Sequence, residues 1–291
     1  ITDKYRQFNQ PKTYSKTMSN TEIKSTKHIL VDLNDEGILT ITMNRPHKRN
    51  AMNVEFTFEM QNLLMAVAAS KTVRVVILKG AGEGFCAGMD IKDFFDLSEH
   101  DEASLAYAKE VANHWRVRLL RKLPQPTIAM IHGFCYGGGF AIVEACDIAF
   151  CADTTNFALS EINFGHFPAG PVAKSLALAM HPRAASYYSL SGRSFNGVEA
   201  EATGFITKSW PDTELEGETM KLARELVQKD PIALQFTKES LEHVKSMEWD
   251  AALSYNTAKF AELKTLQKGA SSRATSVANF LDGKFKPGLG S

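Results

Sequence analysis

Pro126-Thr127-Ile128-Ala129-Met130-Ile131-His132-Gly133-Phe134-Cys135-Tyr136-Gly137-Gly138-Gly139-Phe140-Ala141-Ile142-Val143-Glu144 is the stretch that decides the fold. Thr127 to Ile131 is a short β-rich run, and Gly137, Gly138 and Gly139 then open an apolar helical pattern. A strand that passes through a glycine turn into a helix is a building unit of α/β chains. The turn is also a candidate site. Glycine lets a ligand approach the backbone because no Cβ stands in the way. The first N–H groups of a helix have no internal partner and lie at the positive end of its dipole. Such a turn can hold a phosphate, or the developing oxyanion of a polarised carbonyl. The glycines alone do not choose between these ligands. No Lys follows them as a phosphate loop requires, and the spacing is not that of a dinucleotide fingerprint. Tight strand-to-helix packing is the third explanation.

Two further segments extend the pattern. Gly84-Phe85-Cys86-Ala87-Gly88-Met89-Asp90 follows the strand-like run Val73 to Leu78, and Phe157 to Gly165, with Glu161 inside it, follows the apolar run Asp147 to Cys151. Backbone donors from two separate turns plus one carboxylate form a minimal machine for making an enolate. The donors stabilise a thioester or ester oxygen, and the carboxylate moves a proton at the neighbouring carbon.

Around these segments, His28 to Leu33 and Ile38 to Met43 read as strands flanking a turn at Asn34-Asp35-Glu36-Gly37. Asn53 is the candidate N-cap of a helix running to about Ala69. Val73 to Lys79 reads as a buried strand and Ser104 to Leu120 as a helix. Strand, glycine turn and helix then alternate to about residue 165, which predicts an α/β fold with parallel pairing. Helices are expected at Pro171–Leu190, Asn196–Gly204, Glu214–Lys229, Ile232–Lys245, Trp249–Lys264 and about Ser271–Leu281. Residues 1–17 are polar and aperiodic and are expected to be a leader outside the fold. A core over 18–205 and a helical region over 206–291 follow.

The 291 residues carry 33 basic and 33 acidic side chains, so neither a nucleic-acid footprint nor a polybasic membrane surface is expected. No apolar stretch reaches the length that spans a bilayer. Cys86, Cys135, Cys146 and Cys151 have neither CxxC spacing nor His partners at metal-ligand intervals. They are expected to be buried thiols of a reducing compartment, with no metal bound.

The motifs resemble those of the crotonase superfamily, the enoyl-CoA hydratase/isomerase family. The likeness includes Asn44-Arg45-Pro46, Asn50-Ala51-Met52, Ala87-Gly88-Met89-Asp90-Ile91-Lys92, Pro126-Thr127-Ile128-Ala129, Gly137-Gly138-Gly139, Ala145-Cys146-Asp147 and Phe157 to Gly165, in one order from about Ile29 to Lys286. It implies a spiral of ββα units with a C-terminal helical trimerisation region, assembled as trimers or hexamers, and the buried thiols lead us to expect the cytoplasm as the compartment. It also implies an acyl-CoA substrate, with coenzyme A as part of that substrate and no prosthetic group. The thioester oxygen would sit on the N–H groups of Met89 and Gly138. Ala87, Asp90, Ile91, Phe94 and Gly137 would line the site. Arg45, Lys48 and Arg49 would meet the CoA phosphates and adenine, or form a solvated basic turn.

Departures from the family pattern narrow the chemistry. Hydratases of the family use two glutamates. Glu161 matches the second, but the first falls at Ala141, which cannot do acid–base work. Glu144 lies one turn further on and either reaches inward or forms an ion pair. Glu161 is the expected acid/base, and an apolar pocket would raise its pKa toward neutrality. The wording is nearest to the hydratase-lyases that act on aromatic acyl-CoAs. Their two phenol-gripping tyrosines fall at Phe94 and Thr257, with Tyr255 close enough in sequence to compensate in part. An apolar or aromatic acyl group is expected, and a para-hydroxyl would be left unpaired at about 1–3 kcal/mol. His166 either contacts the substrate and tunes Glu161 or is a satisfied structural histidine. The resulting expectation is a hydratase/lyase. A one-glutamate double-bond isomerase and a non-catalytic member of the family are the alternatives.

Overall fold

The computed structural model describes residues 22–94, 101–268 and 282–283. The expected leader, the helix at about 271–281 and the last C-terminal residues lie outside the described residues. The main sheet has the order β1 (Ile29–Leu33), β2 (Ile38–Met43), β3 (Val75–Gly80), β4 (Thr127–Ile131), β6 (Ile148–Ala152) and β9 (Lys208–Trp210). Strand β1 is antiparallel to β2, and every other pairing is parallel. The central strands are buried on both faces, which explains their unbroken apolar sequences. Their side chains alternate with period two. Val76, Leu78, Ala129 and Ile131 pack into one core with α1 (Val54–Ala69). Val75, Ile77, Ile128 and Met130 face the other way, onto Leu215 and Ala223 of α7 (Leu215–Val227).

Helix α1 begins where the sequence predicts. The Asn53 side chain accepts from the Phe56 N–H at 3.0 Å, occupying one of the donors a helix start leaves open. The expected helix over Ser104–Leu120 forms as α2 (Glu102–Asn113) followed by a π-helical segment, His114–Leu120. The expected single helix Pro171–Leu190 is two, α4 (Val172–Ala179) and α5 (Pro182–Ser191). Pro182 has no N–H and drives the preceding His181 out of the helical region, to ψ 134°, so the chain breaks there. The sheet also takes its edge strand β9 from beyond residue 205, within the segment assigned to helices. Helices α6 (Gly197–Ala202), α8 (Pro231–Val244) and α9 (Trp249–Leu266) complete the described fold, with α3 (Gly139–Ala145) after the triple glycine.

A second sheet positions the site. Strand β5 (Phe134–Tyr136) pairs in parallel with β7 (Asn156–Ala158), which pairs antiparallel with β8 (Ser194–Phe195). On its free side, β5 bridges to Cys86, and the Tyr136 N–H donates to the Cys86 carbonyl at 2.9 Å. The Gly137 N–H donates to the Ala158 carbonyl at 3.2 Å. The glycine turn is thereby tied on one side to the turn holding Met89 and on the other to the strand leading to Glu161. Phe140, Phe157, Phe195 and Phe205 pack ring on ring beneath this sheet.

Candidate active site

Three loops that are distant in sequence converge at the start of α3. The Met52 N–H donates to the Gly88 carbonyl at 2.8 Å, and the Met52 carbonyl accepts from the Asp90 N–H at 2.8 Å. A trans peptide points its oxygen and its N–H in opposite directions. With the Gly88 carbonyl turned to Met52, the Met89 N–H of that peptide is aimed away from it. A Cβ placed on Gly88 would lie 3.0 Å from the Gly138 nitrogen, which brings the two turns into contact. Gly88 adopts φ +92°, a conformation that side chains disfavour. Among the described residues, neither the Met89 nor the Gly138 N–H donates to a backbone carbonyl.

Glu161 completes the arrangement. It lies in a 3-10 turn, Ser160–Phe164, directly after β7. Its Oε1 occupies the space a side chain on Gly137 would need, 2.8 Å from that Cβ position. Its Oε2 is buried without a hydrogen-bond partner. Burial raises the Glu161 pKa above the ordinary carboxylate value, opposed by its own backbone N–H. A half-buried carboxyl group with a free oxygen and a raised pKa is suited to taking and returning a proton.

A cavity of about 310 Å³ opens beside α3, and its walls include Asn113, Val117, Ala141, Glu144, Gly170 and Pro171. Ala141 is on this wall. Glu144 also faces the cavity, but its carboxylate is engaged. It forms an ion pair with Arg121 and accepts from the Ser175 hydroxyl at 3.2 Å. The ion-pair alternative therefore holds for Glu144. Phe94 is buried against Val54, Ala108 and Met89, keeping apolar surface next to the Gly88–Met89 turn.

Other expected site residues stand differently. Arg45 is not a surface cation for phosphates. It is buried and pairs with Asp90 at 3.0 Å, and it also donates to the Ala51 carbonyl. That pair anchors the residue next to Met89. Lys48 and Arg49 are exposed on their turn, Ala87 is half-buried with its N–H bonded to the Arg49 carbonyl, and Ile91 is 77% exposed. His166 is exposed, and its backbone N–H donates to the Glu161 carbonyl at 3.0 Å. Tyr255 and Thr257 lie on α9 and do not line the cavity within this chain. All four cysteines are buried and free, and burial pushes the Cys86 thiol up to about 11.

Asn50 holds the turns together. Its side chain accepts from the Arg45 N–H at 2.9 Å and donates to the Ala81 and Gly84 carbonyls, both at 2.8 Å. Its left-handed backbone, φ +55°, is a signal that asparagine tolerates and that sequence alone leaves open.

The profile of the enoyl-CoA hydratase/isomerase family matches residues 34–284. The chain belongs to that family. It is 37% identical over 265 residues to hydroxycinnamoyl-CoA hydratase-lyase from Pseudomonas fluorescens, covering 90% of this chain and 95% of that protein. It is 29% identical over 227 residues to the mitochondrial Delta(3,5)-Delta(2,4)-dienoyl-CoA isomerase from Homo sapiens, covering 75% and 69%. A crystal structure of a putative enoyl-CoA hydratase from Streptomyces coelicolor A3(2) superposes with a TM-score of 0.82 at 25% identity, covering 95% and 99%. The fold is thus the crotonase fold that the motifs resemble, and the family's substrates are CoA thioesters. Among the described residues, no helix is long and apolar enough to cross a membrane, and no group of His, Cys, Asp and Glu could hold a metal ion.

Proposed function

We propose that this enzyme is an enoyl-CoA hydratase/lyase working through one acid/base, Glu161, and an oxyanion site made by the Met89 and Gly138 N–H groups. The single observation that carries this reading is the contact of the Gly88 and Gly137–Gly138 turns with the Glu161 carboxyl group beside them. With the thioester oxygen on the two amides, Glu161 takes a proton from water and the oxygen of that water bonds to Cβ. The electron pair of the double bond moves onto Cα and the carbonyl oxygen, giving an enolate. Glu161 then returns the proton to Cα. In the cleavage step, Glu161 takes the Cβ hydroxyl proton and the Cα–Cβ bond breaks. An aldehyde and the enolate of acetyl-CoA result, and Glu161 protonates that enolate.

Ala141 and Val117 on the cavity, and Phe94 buried beside Met89, support an apolar or aromatic acyl stem. With phenylalanine at 94 and threonine at 257, feruloyl-CoA is expected to be a poor substrate. Lys48 and Arg49 are the cations we assign to the CoA phosphates. We assign the exposed apolar residues of α9, Trp249 at 81% and Phe260 at 53%, to contacts between copies in a trimer or hexamer. Four free buried thiols fit a reducing compartment, the cytoplasm. Ala141 also favours a second reading, a one-glutamate isomerase that shuttles a proton along the acyl chain.

Absorbance assays with purified protein separate these reactions. Loss of conjugation from crotonyl- or cinnamoyl-CoA marks hydration, and aldehyde with acetyl-CoA marks cleavage. Gain of conjugation from a 3-enoyl-CoA marks isomerisation. Silence with all of these would overturn the enzymatic reading.

A further inference from the structure

Glu144 keeps an oxygen that its ion pair does not use. Arg121 Nη2 and the Ser175 hydroxyl both donate to Oε2, and among the described residues no hydrogen bond reaches Oε1. Arginine–carboxylate pairs are frequently bidentate, with both oxygens taken. Here two donors from separate elements share one oxygen. Ser175 belongs to α4, and Arg121 is steadied in turn by Glu242 of α8, whose Oε2 lies 3.7 Å from Nη1. The carboxylate is thereby held in one orientation on the wall of the cavity of about 310 Å³, its side chain 7% exposed. Asn113 lines the same cavity and is fixed as well, because its Oδ1 accepts from the buried Arg116 at 3.2 Å.

Helix geometry sets the reach of this oxygen. Glu144 lies six residues after Gly138, about 9 Å along the axis of α3. Side chains of a helix lean toward its N-terminus, which brings the carboxyl group back toward the Gly138 amide. Ala141, between them, carries only a methyl group on the face it shares with Glu144. With a thioester oxygen about 3 Å from the Gly138 nitrogen, Cβ lies about 6 Å from that nitrogen and an attacking oxygen about 3 Å beyond. A water at that distance falls within reach of Glu144. The cavity has room for it beside an acyl chain, since a water takes about 30 Å³ of liquid volume.

We propose that Glu144 Oε1 positions the water that adds to Cβ. The proposal rests on the thioester position and the Glu161 role given under Proposed function. Glu161 takes one hydrogen of that water as a proton while the oxygen bonds to Cβ. The other hydrogen stays on the oxygen, donated to Glu144 Oε1, and remains as the hydroxyl hydrogen of the product. The electron pair of the double bond moves onto Cα and the thioester oxygen. Glu144 itself gains and loses no proton. It aims an oxygen lone pair at Cβ, and it serves only the step in which water adds.

Two reactions of the same sample separate this role from a structural one. Hydration of crotonyl-CoA, followed by absorbance, needs the positioned water. Exchange of the Cα hydrogens of butyryl-CoA in heavy water, followed by NMR, needs Glu161 and the two amides but no water at Cβ. Glu144→Gln should lower kcat for hydration about 100-fold, with KM and the exchange rate little changed. Glu144→Asp should recover part of the loss. Hydration at the wild-type rate in Glu144→Gln would overturn the proposal, and so would an equal loss of hydration and exchange, which marks a structural role. If Glu144→Gln does not fold, Ser175→Ala decides, because it loosens the carboxylate and leaves its ion pair in place. That variant should hydrate more slowly and exchange normally, and unchanged hydration would count against the water site. Wild-type protein that exchanges but hydrates no enoyl-CoA would overturn the water site and leave Glu161 in place. Failure of the catalytic reading is seen separately, as wild-type protein that does neither.

Discussion

Glu161 stands where a side chain on Gly137 would be, its Oε1 2.8 Å from the Cβ position of that glycine. The Glu161 carboxyl group and the glycine turn are therefore fitted to each other, and only glycine allows the fit. Gly137 also adopts φ +47°.

Gly137→Ala should push the Glu161 carboxyl away from the oxyanion turn. Misplacement of a catalytic group by about 1 Å is enough to lower kcat about 100-fold. The left-handed backbone adds about 1–2 kcal/mol of destabilisation, so the variant should fold. Steady-state kinetics and thermal unfolding of the same sample check both parts.

Gly88→Ala addresses the other donor. The added methyl would lie 3.0 Å from the Gly138 nitrogen and 3.1 Å from the Tyr136 carbonyl oxygen. The two turns must separate, which removes the shared focus of the two N–H groups. Loss of one oxyanion donor lowers kcat by about 100- to 1,000-fold. The same rate measurement shows this, and an unchanged kcat would count against Met89 as a donor.

The pH dependence of stability follows from the raised Glu161 pKa. Between the ordinary value of 4.5 and the raised folded value, the native state holds more proton than the unfolded state. The contribution of this group to stability therefore falls as pH rises through that window. Glu161→Gln has no such loss. Its Tm minus the wild-type Tm should grow as pH rises from 4.5 and level off above the folded value. Unfolding scans across a pH series measure this difference.

Phe140 is fully buried and stacks on Phe205 with ring centres 4.6 Å apart, beneath the start of α3. Phe140→Ala should cost about 3–5 kcal/mol in unfolding free energy. Denaturant titration checks the loss. Activity measured well below the unfolding midpoint should fall less than in the glycine variants, because no reacting group is removed.

Much of this was legible in the sequence. The apolar runs of β2, β3 and β4, the Asn53 cap and the glycine turns each carry a local signal, and those elements form where they were expected. Strands β5 and β7 have only three residues each, and their pairing with Cys86 and with each other is non-local, so no sequence period announces them. The Arg45–Asp90 pair joins positions that only the fold brings together, which is why Arg45 reads as a basic surface residue. Arg116 was hidden by helix geometry. The π-helical turn after Asn113 departs from the ordinary period and buries Trp115 and Arg116 side by side, so a cation in a helical pattern looks solvated when it is not.

The central claim is that Glu161 moves a proton at the carbon next to a thioester held by Met89 and Gly138. Deuterium wash-in at Cα of butyryl-CoA in heavy water, followed by NMR, measures this step directly. The wild-type enzyme should exchange that hydrogen, and Glu161→Gln should slow exchange by about 100- to 10,000-fold. Exchange at the wild-type rate in Glu161→Gln would contradict the assignment.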